Sequence, residues 1–255
     1  MTHIHLKREK KVYFASDQHF GAPSPSKSKT REERFVRWLE NIKSDAQVLF
    51  LMGDLFDFWH EWKHVVPKGY VRVLGKIAEL KDAGIEIYFF VGNHDLWMEN
   101  YFEEELGIPV FYNKQYYEIA GKNFLLAHGD GLGPGDKGYK RMKKLFTNPV
   151  ARWFFRWLHP DIAMKIALYF SQKNKLISGE EDKAFLGEDK EFLILYAKEK
   201  LKTEKIDYFI FGHRHLPLIL DLENNSKYVN LGDWIDYFTY GSFDGNHFEL
   251  KKFEE

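Results

Sequence analysis

The sequence predicts an α/β fold that carries a helical insertion. Three observations support this: β-rich runs alternate with helical patterns, a long helix-forming stretch interrupts them, and the chain after Pro217 breaks into short alternating segments. The 255 residues, 44% of them hydrophobic, are enough for one large core. No repeat, low-complexity tract or linker divides the chain, so residues 1–255 read as one domain with an insertion at about 133–189.

The first strand is VYFAS at 12–16, followed by a helical pattern at 31–43. QVLFLM at 47–52 is the second strand, a helix is expected over 69–84, and IEIYFF at 85–90 is the third strand. NFLLA at 123–127 precedes the insertion, which begins at Gly133-Pro134-Gly135 and has Gly179 and Gly187 near its end. A helix follows from 188, with Phe192, Leu195 and Tyr196 at helical spacing, and DYFIF at 207–211 is the last β-rich run of the alternation. LILDLE, KYVNLGDW, DYFTYGSF and HFELKKF then predict antiparallel strands.

Composition narrows the function. With a net charge of −1 and 29% charged residues, no global basic field points to nucleic acid as a partner. The absence of cysteine removes disulfides, thiolate metal sites and cysteine nucleophiles, and suits a reducing compartment. The polar start, MTHIHLKREKK, has no apolar stretch behind it and no window approaches a membrane span, so a cytoplasmic location is expected.

Each core run leads into a polar motif: Asp17-Gln18-His19, Gly53-Asp54, Gly92-Asn93-His94-Asp95, His128-Gly129-Asp130 and Gly212-His213-Arg214-His215. If the extended geometry of VYFAS continues, Asp17 and His19 project to the same side. In open α/β sheets ligands bind beyond the carboxyl ends of strands, so the five motifs can converge on one crevice. Carboxylates, an amide and imidazoles gathered there suit a divalent metal, with Asp17 and His19 as its first two ligands. Asp57 and Asp95 read as groups orienting histidine ligands, and Asp57 also as a helix-start residue.

In this order the motifs resemble those of the calcineurin-like metallophosphoesterases, from Asp17 to His215. The resemblance implies a four-layer αββα sandwich and a pair of divalent ions. It implies that Asp17, His19 and His215 hold one ion, that Asn93, His128 and His213 hold the other, and that Asp54 bridges them. Such a pair lowers the pKa of a water and offsets charge at phosphorus. Asp54 and Asn93 would then be catalytic through the metals, Asn93 and His213 would also face substrate, and His94 would hydrogen-bond or protonate the phosphoryl or leaving oxygen.

The insertion is basic, aromatic and helix-forming at once. Val150, Trp153, Phe154, Trp157 and Leu158 lie near one helical stripe, with Arg152 and Arg156 outside it. Two readings stand: a helix packed on the core, or a lid whose apolar face takes acyl chains or a membrane surface. With GDLFDFW at 53–59 and LGDW at 231–234, the insertion is similar to that of the UDP-2,3-diacylglucosamine pyrophosphatases of lipid A synthesis. That similarity implies headgroup contacts at Asp136, Tyr139, Ser171 and Lys175, release of UMP and 2,3-diacylglucosamine 1-phosphate, manganese as the usual metal, and peripheral attachment to the cytoplasmic face of the inner membrane. The family's best-known branch has Arg where this chain has His94, so a phosphodiesterase or nucleotide pyrophosphatase of broader range is the alternative. A catalytically silent membrane-binding module and a nuclease are the remaining readings. His247 lacks the strand-end glycine context and reads as structural.

Overall fold

Alternation along the strands builds two sheets. The computed structural model describes residues 1–134, 137–178 and 185–254, with backbone only at 25, 137–139 and 172–178. In chain order the elements are β1 (Thr2–Ile4), β2 (Lys11–Ala15), α1 (Pro25–Ile42), β3 (Ala46–Leu51), α2 (Val71–Asp82), β4 (Glu86–Phe90), α3 (Tyr101–Leu106), β5 (Val110–Phe111), β6 (Gln115–Ile119) and β7 (Lys122–Leu126). The insertion forms α4 (Lys137–Phe146), α5 (Pro149–Arg156) and α6 (Pro160–Ser178). Then come α7 (Phe192–Leu201), β8 (Tyr208–Phe211), β9 (Leu218–Asp221), β10 (Lys227–Asn230), β11 (Thr239–Phe243) and β12 (Phe248–Lys252).

One six-stranded sheet has the order β12-β11-β2-β3-β4-β5 and the other β1-β6-β7-β8-β10-β9. In β3, Val48 and Phe50 point between the sheets, while Leu49 and Leu51 point to the helices. The inner layer joins Phe14, Phe50 and Phe90 to Phe124, Tyr208 and Ile210, and Phe14 stacks on Phe124 at 6.2 Å. On the outer face of the first sheet, Phe35, Trp38, Leu39 and Ile42 of α1 and Val73, Ile77 and Leu80 of α2 are buried, following the 3.6-residue period. α7 covers the second sheet. The layers are therefore helix, sheet, sheet, helix, as the four-layer reading requires.

Several expectations are corrected. α1 begins six residues earlier than position 31, because the Ser24 hydroxyl accepts the Lys27 N–H at 3.4 Å and caps the helix. α7 buries Leu193, Ile194 and Ala197, while Phe192, Leu195 and Tyr196 are only half-buried. Both sets are joined by steps of three and four residues, so periodicity alone does not choose between them. The last four strands pair antiparallel within β9–β10 and β11–β12, but β10 also lies parallel to β8, because β9 takes the sheet edge and the chain turns back to place β10 between β9 and β8. β1, β5 and β6 carry no signal that the sequence analysis used.

The insertion leaves after β7 and returns through α7 to β8. Its predicted stripe does not pack on the core: Trp157 is 74% exposed, Phe154 64% and Trp153 55%. Phe155 makes the core contact instead, against Trp97 at 4.4 Å and His60 at 5.1 Å. Arg152 and Arg156 both reach Glu99, at 2.6 and 2.9 Å, and Trp97 Nε1 donates to the Phe146 carbonyl at 2.6 Å. Among the described residues no helix is long and apolar enough to cross a membrane.

Candidate metal centre

The five motifs meet where the two sheets end. β2 stops at Ala15, and Asp17 and His19 adopt φ of 59° and 46°, so strand geometry does not continue through them as expected. Asp54, His213 and His215 also have positive φ, at 54°, 68° and 51°. Non-glycine residues in this region carry strain, and its concentration here marks backbone shaped to aim side chains. Glycines permit the crowding: a methyl at Gly92 would strike the Asp54 carboxylate, and one at Gly212 would strike Ser16.

Three of the imidazoles are oriented from behind. His19 Nδ1 faces Asp57 Oδ1 at 3.2 Å, His128 Nδ1 donates to the Met52 carbonyl at 2.9 Å, and His215 Nδ1 faces Asp233 Oδ2 at 3.1 Å. Their Nε2 atoms then face into the site, where each offers a lone pair once its imidazole is neutral. His19 and His215 bring Nε2 atoms to 3.3 Å of each other, and His215 Nε2 stands 3.4 Å from Asp17 Oδ1. Asp54 Oδ2 lies 3.5 Å from His19 Nε2 and 3.4 Å from His128 Nε2, which puts it between two groups. Asn93 Oδ1 is 3.1 Å from His128 Nε2 and 2.8 Å from His213 Nδ1.

The donor set fits a divalent cation on chemical grounds. Asp17 Oδ1 is buried without a hydrogen-bond donor among the described residues, and lone pairs from carboxylates, an amide and imidazoles point at one another. The groups Asp17–His19–His215, His19–Asp54–His94 and Asp17–Asp54–His128 each place three ligand atoms within 4.8 Å. Electrostatics agree. Burial opposes charge on Asp54, but His128, His94 and His19 outweigh it and hold its carboxyl well below the usual range. Burial would also lower His128, yet Asp54 and Asp17 push it up to about 10. Binding a metal through Nε2 must displace that proton, so affinity rises with pH up to this value. Calorimetry at pH 7 in buffers of different ionisation enthalpy is expected to give release of about one proton per His128; no release would show that the pair is already deprotonated.

Around this centre the roles differ from expectation in three places. Asp57 starts no helix; besides His19 it accepts the Ser171 hydroxyl at 2.7 Å, and its carbonyl faces His94 Nδ1 at 3.0 Å. Among the described residues Asp95 orients no histidine. Its carboxylate accepts the N–H groups of Gly92 at 2.6 Å and Leu55 at 2.9 Å, tying the second and third motifs together. Burial and nearby Asp54 push Asp95 up to about 7. Asp233, in the LGDW stretch, is a further orienting carboxylate, and no strand-end motif marks it. Although buried, it is held below the usual carboxylate range by His215 and by backbone N–H groups that include Asp236 and Tyr237. Asp233→Ala is expected to weaken metal binding about 10–100-fold, measured by competition with a chelating dye; unchanged affinity would deny it an orienting role.

All seven expected ligand positions thus come together, with His94 beside them, its N–H donating to Asp54 Oδ1 at 2.8 Å. Ser171 is buried against Asp57 rather than open to the surface. Asp136 and the side chains of Tyr139 and Lys175 lie outside the described residues. His247 is exposed in the β11–β12 turn, away from the centre.

A sequence profile described as Calcineurin-like phosphoesterase matches residues 10–217. The chain belongs to this family. Curated relatives of the phosphoesterase carry the name UDP-2,3-diacylglucosamine hydrolase. One from Porphyromonas gingivalis is 40% identical over 96% of this chain and 98% of its own. Relatives from Histophilus somni and Edwardsiella ictaluri are each 27% identical, covering 88% and 90% of this chain and 92% and 85% of theirs. The family implies divalent metal ions, and the phosphoesterase has the His and Asp groups to hold them.

Proposed function

We propose that the protein hydrolyses the pyrophosphate of UDP-2,3-diacylglucosamine, giving UMP and 2,3-diacylglucosamine 1-phosphate. The observation that carries this reading is the adjacency of the donor cluster to a helical insertion with an exposed aromatic face, linked through Ser171 and Asp57. The relatives' shared name supports the same substrate. Asp17, His19 and His215 would hold one ion, Asn93, His128 and His213 the second, and Asp54 would contact both; manganese suits these nitrogen and oxygen donors. Bound ions supply charge neutralisation at the phosphoryl group and acidify water.

The side chains do the rest. His94 is anchored by its backbone N–H on Asp54 and by Nδ1 on the Asp57 carbonyl, and its imidazole would hold a phosphoryl or leaving oxygen and carry a proton to it. Asn93 and His213 line the same opening, and Asp136, Tyr139, Ser171 and Lys175 are the proposed headgroup contacts. Residues 133–189 act as a lid on the single domain 1–255. Its aromatic face receives the acyl chains and rests on the cytoplasmic face of the inner membrane, as an amphipathic helix does.

Manganese-dependent release of UMP from UDP-2,3-diacylglucosamine tests the assignment, with His19→Ala as control and an acyl-free UDP-sugar for comparison. Cleavage of simple phosphodiesters without release from the lipid substrate would favour the broader phosphodiesterase, the reading that His94 supports. For the lid, Trp153→Ala with Trp157→Ala is expected to raise KM for the acylated substrate at least about tenfold, given ~1.5–3 kcal/mol for each buried aromatic side chain. Turnover of the acyl-free sugar should hold, and an unchanged KM for the lipid would remove the lid from substrate binding.

A further inference from the structure

On the His128 side the centre adjoins a cavity of about 610 Å³ that the roles above leave unused. Phe111 and Tyr112, at and just beyond the end of β5, are among its lining residues, Tyr112 at its border with a second cavity beside Glu99 and Arg152, and both rings are held in place. Tyr112 donates its hydroxyl to the Met98 carbonyl at 2.9 Å, and Phe111 packs on Phe90 at 5.4 Å. α4 contributes Lys140, Lys143 and Lys144. Lys140 is committed to the Gly133 carbonyl and Lys143 to Asp130, whereas Lys144 is exposed and makes no ion pair among the described residues. None of the exposed aromatics of α5 and α6 lines this space.

We propose that this cavity binds the nucleoside 5′-monophosphate half of the substrate, with the base on Tyr112 and the phosphate between His128 and Lys144. The inference rests on the UDP-linked substrate proposed above and adds where its nucleotide lies. A nucleotide joins a flat ring to an anion. Fixed aromatic edges and an uncommitted ammonium match both parts, and an acyl chain would match neither. Asn113 in the same lining offers an amide to the edge of the base. The two halves of the substrate would then leave the centre in different directions, the nucleotide toward α4 and the acyl chains toward α5 and α6.

Calorimetry with UMP and with inorganic phosphate on the manganese-loaded protein tests this. Lys144→Ala and Tyr112→Ala should each weaken UMP binding about tenfold, and only Lys144→Ala should weaken inorganic phosphate. Both side chains are exposed enough for the variants to fold, which melting temperatures check. UMP binding at wild-type strength in both variants would overturn the subsite, as would an equal loss for both ligands in Tyr112→Ala. If UMP binds and responds as expected but UDP-2,3-diacylglucosamine is not cleaved, the subsite stands and the substrate assignment falls.

Discussion

Asp54→Asn is expected to lower kcat by on the order of 10³-fold or more, because several kcal/mol of charge stabilisation are lost with its carboxylate. The side chain stands 3.5 Å from His19 Nε2 and 3.4 Å from His128 Nε2, which places it to serve both halves of the proposed centre. Asparagine keeps the shape and can still accept the His94 N–H, so the fold should survive and the loss should be chemical. Metal content measured by mass spectrometry should fall from about two ions to one or fewer. The removed charge also takes away the main attraction that lifts His128 to about 10, so protons compete less at that imidazole. Activity within tenfold of wild type, with full metal content, would rule out a bridging role for Asp54.

Glu191→Ala should unfold the protein more readily by up to about 3–5 kcal/mol, because it removes a carboxylate paired with a buried guanidinium. Arg214 lies between His213 and His215 and is only 5% exposed, with Nε 3.0 Å and Nη2 3.1 Å from the two oxygens of Glu191. Glu191 is the N-cap residue of α7 and also accepts the Leu186 N–H at 3.2 Å, so this pair fastens the last ligand loop to the outer helix layer. Melting temperature should fall on the order of 10 °C. Metal affinity should fall with it, while Glu191→Gln, which keeps an acceptor, should lose less of each. Urea denaturation showing a change below about 1 kcal/mol would mean the pair is dispensable.

The course of the chain shows which of these features could be read early. The motif order Asp17, Asp54, Asn93, His128, His213 and His215 was legible because a divalent centre needs these donor types wherever they fall, and because each follows a strand-length apolar run. Asp233 was not, since an aspartate after a strand has many uses and only its 3.1 Å approach to His215 selects one. Asp95 misled for the same reason: adjacency to His94 in sequence says nothing about which backbone N–H groups its carboxylate will meet.

The apolar stripe of α5 was correct as a pattern but silent on direction. Trp153 and Trp157 repeat at helical spacing whether they face a core or solvent, and it is Phe155, one residue off the stripe, that meets Trp97 and His60. In α7 the helical spacing of Phe192, Leu195 and Tyr196 was equally silent: Leu193, Ile194 and Ala197 are the fully buried residues, with Phe192 and Tyr196 packed at their edge. By itself the sequence determined the donor types, their order and the alternating elements, because local pattern and side-chain chemistry are carried by neighbouring residues. Only the tertiary structure decided which strands share a sheet, which helix faces are buried and which second group holds each imidazole, because those contacts join residues far apart in the chain.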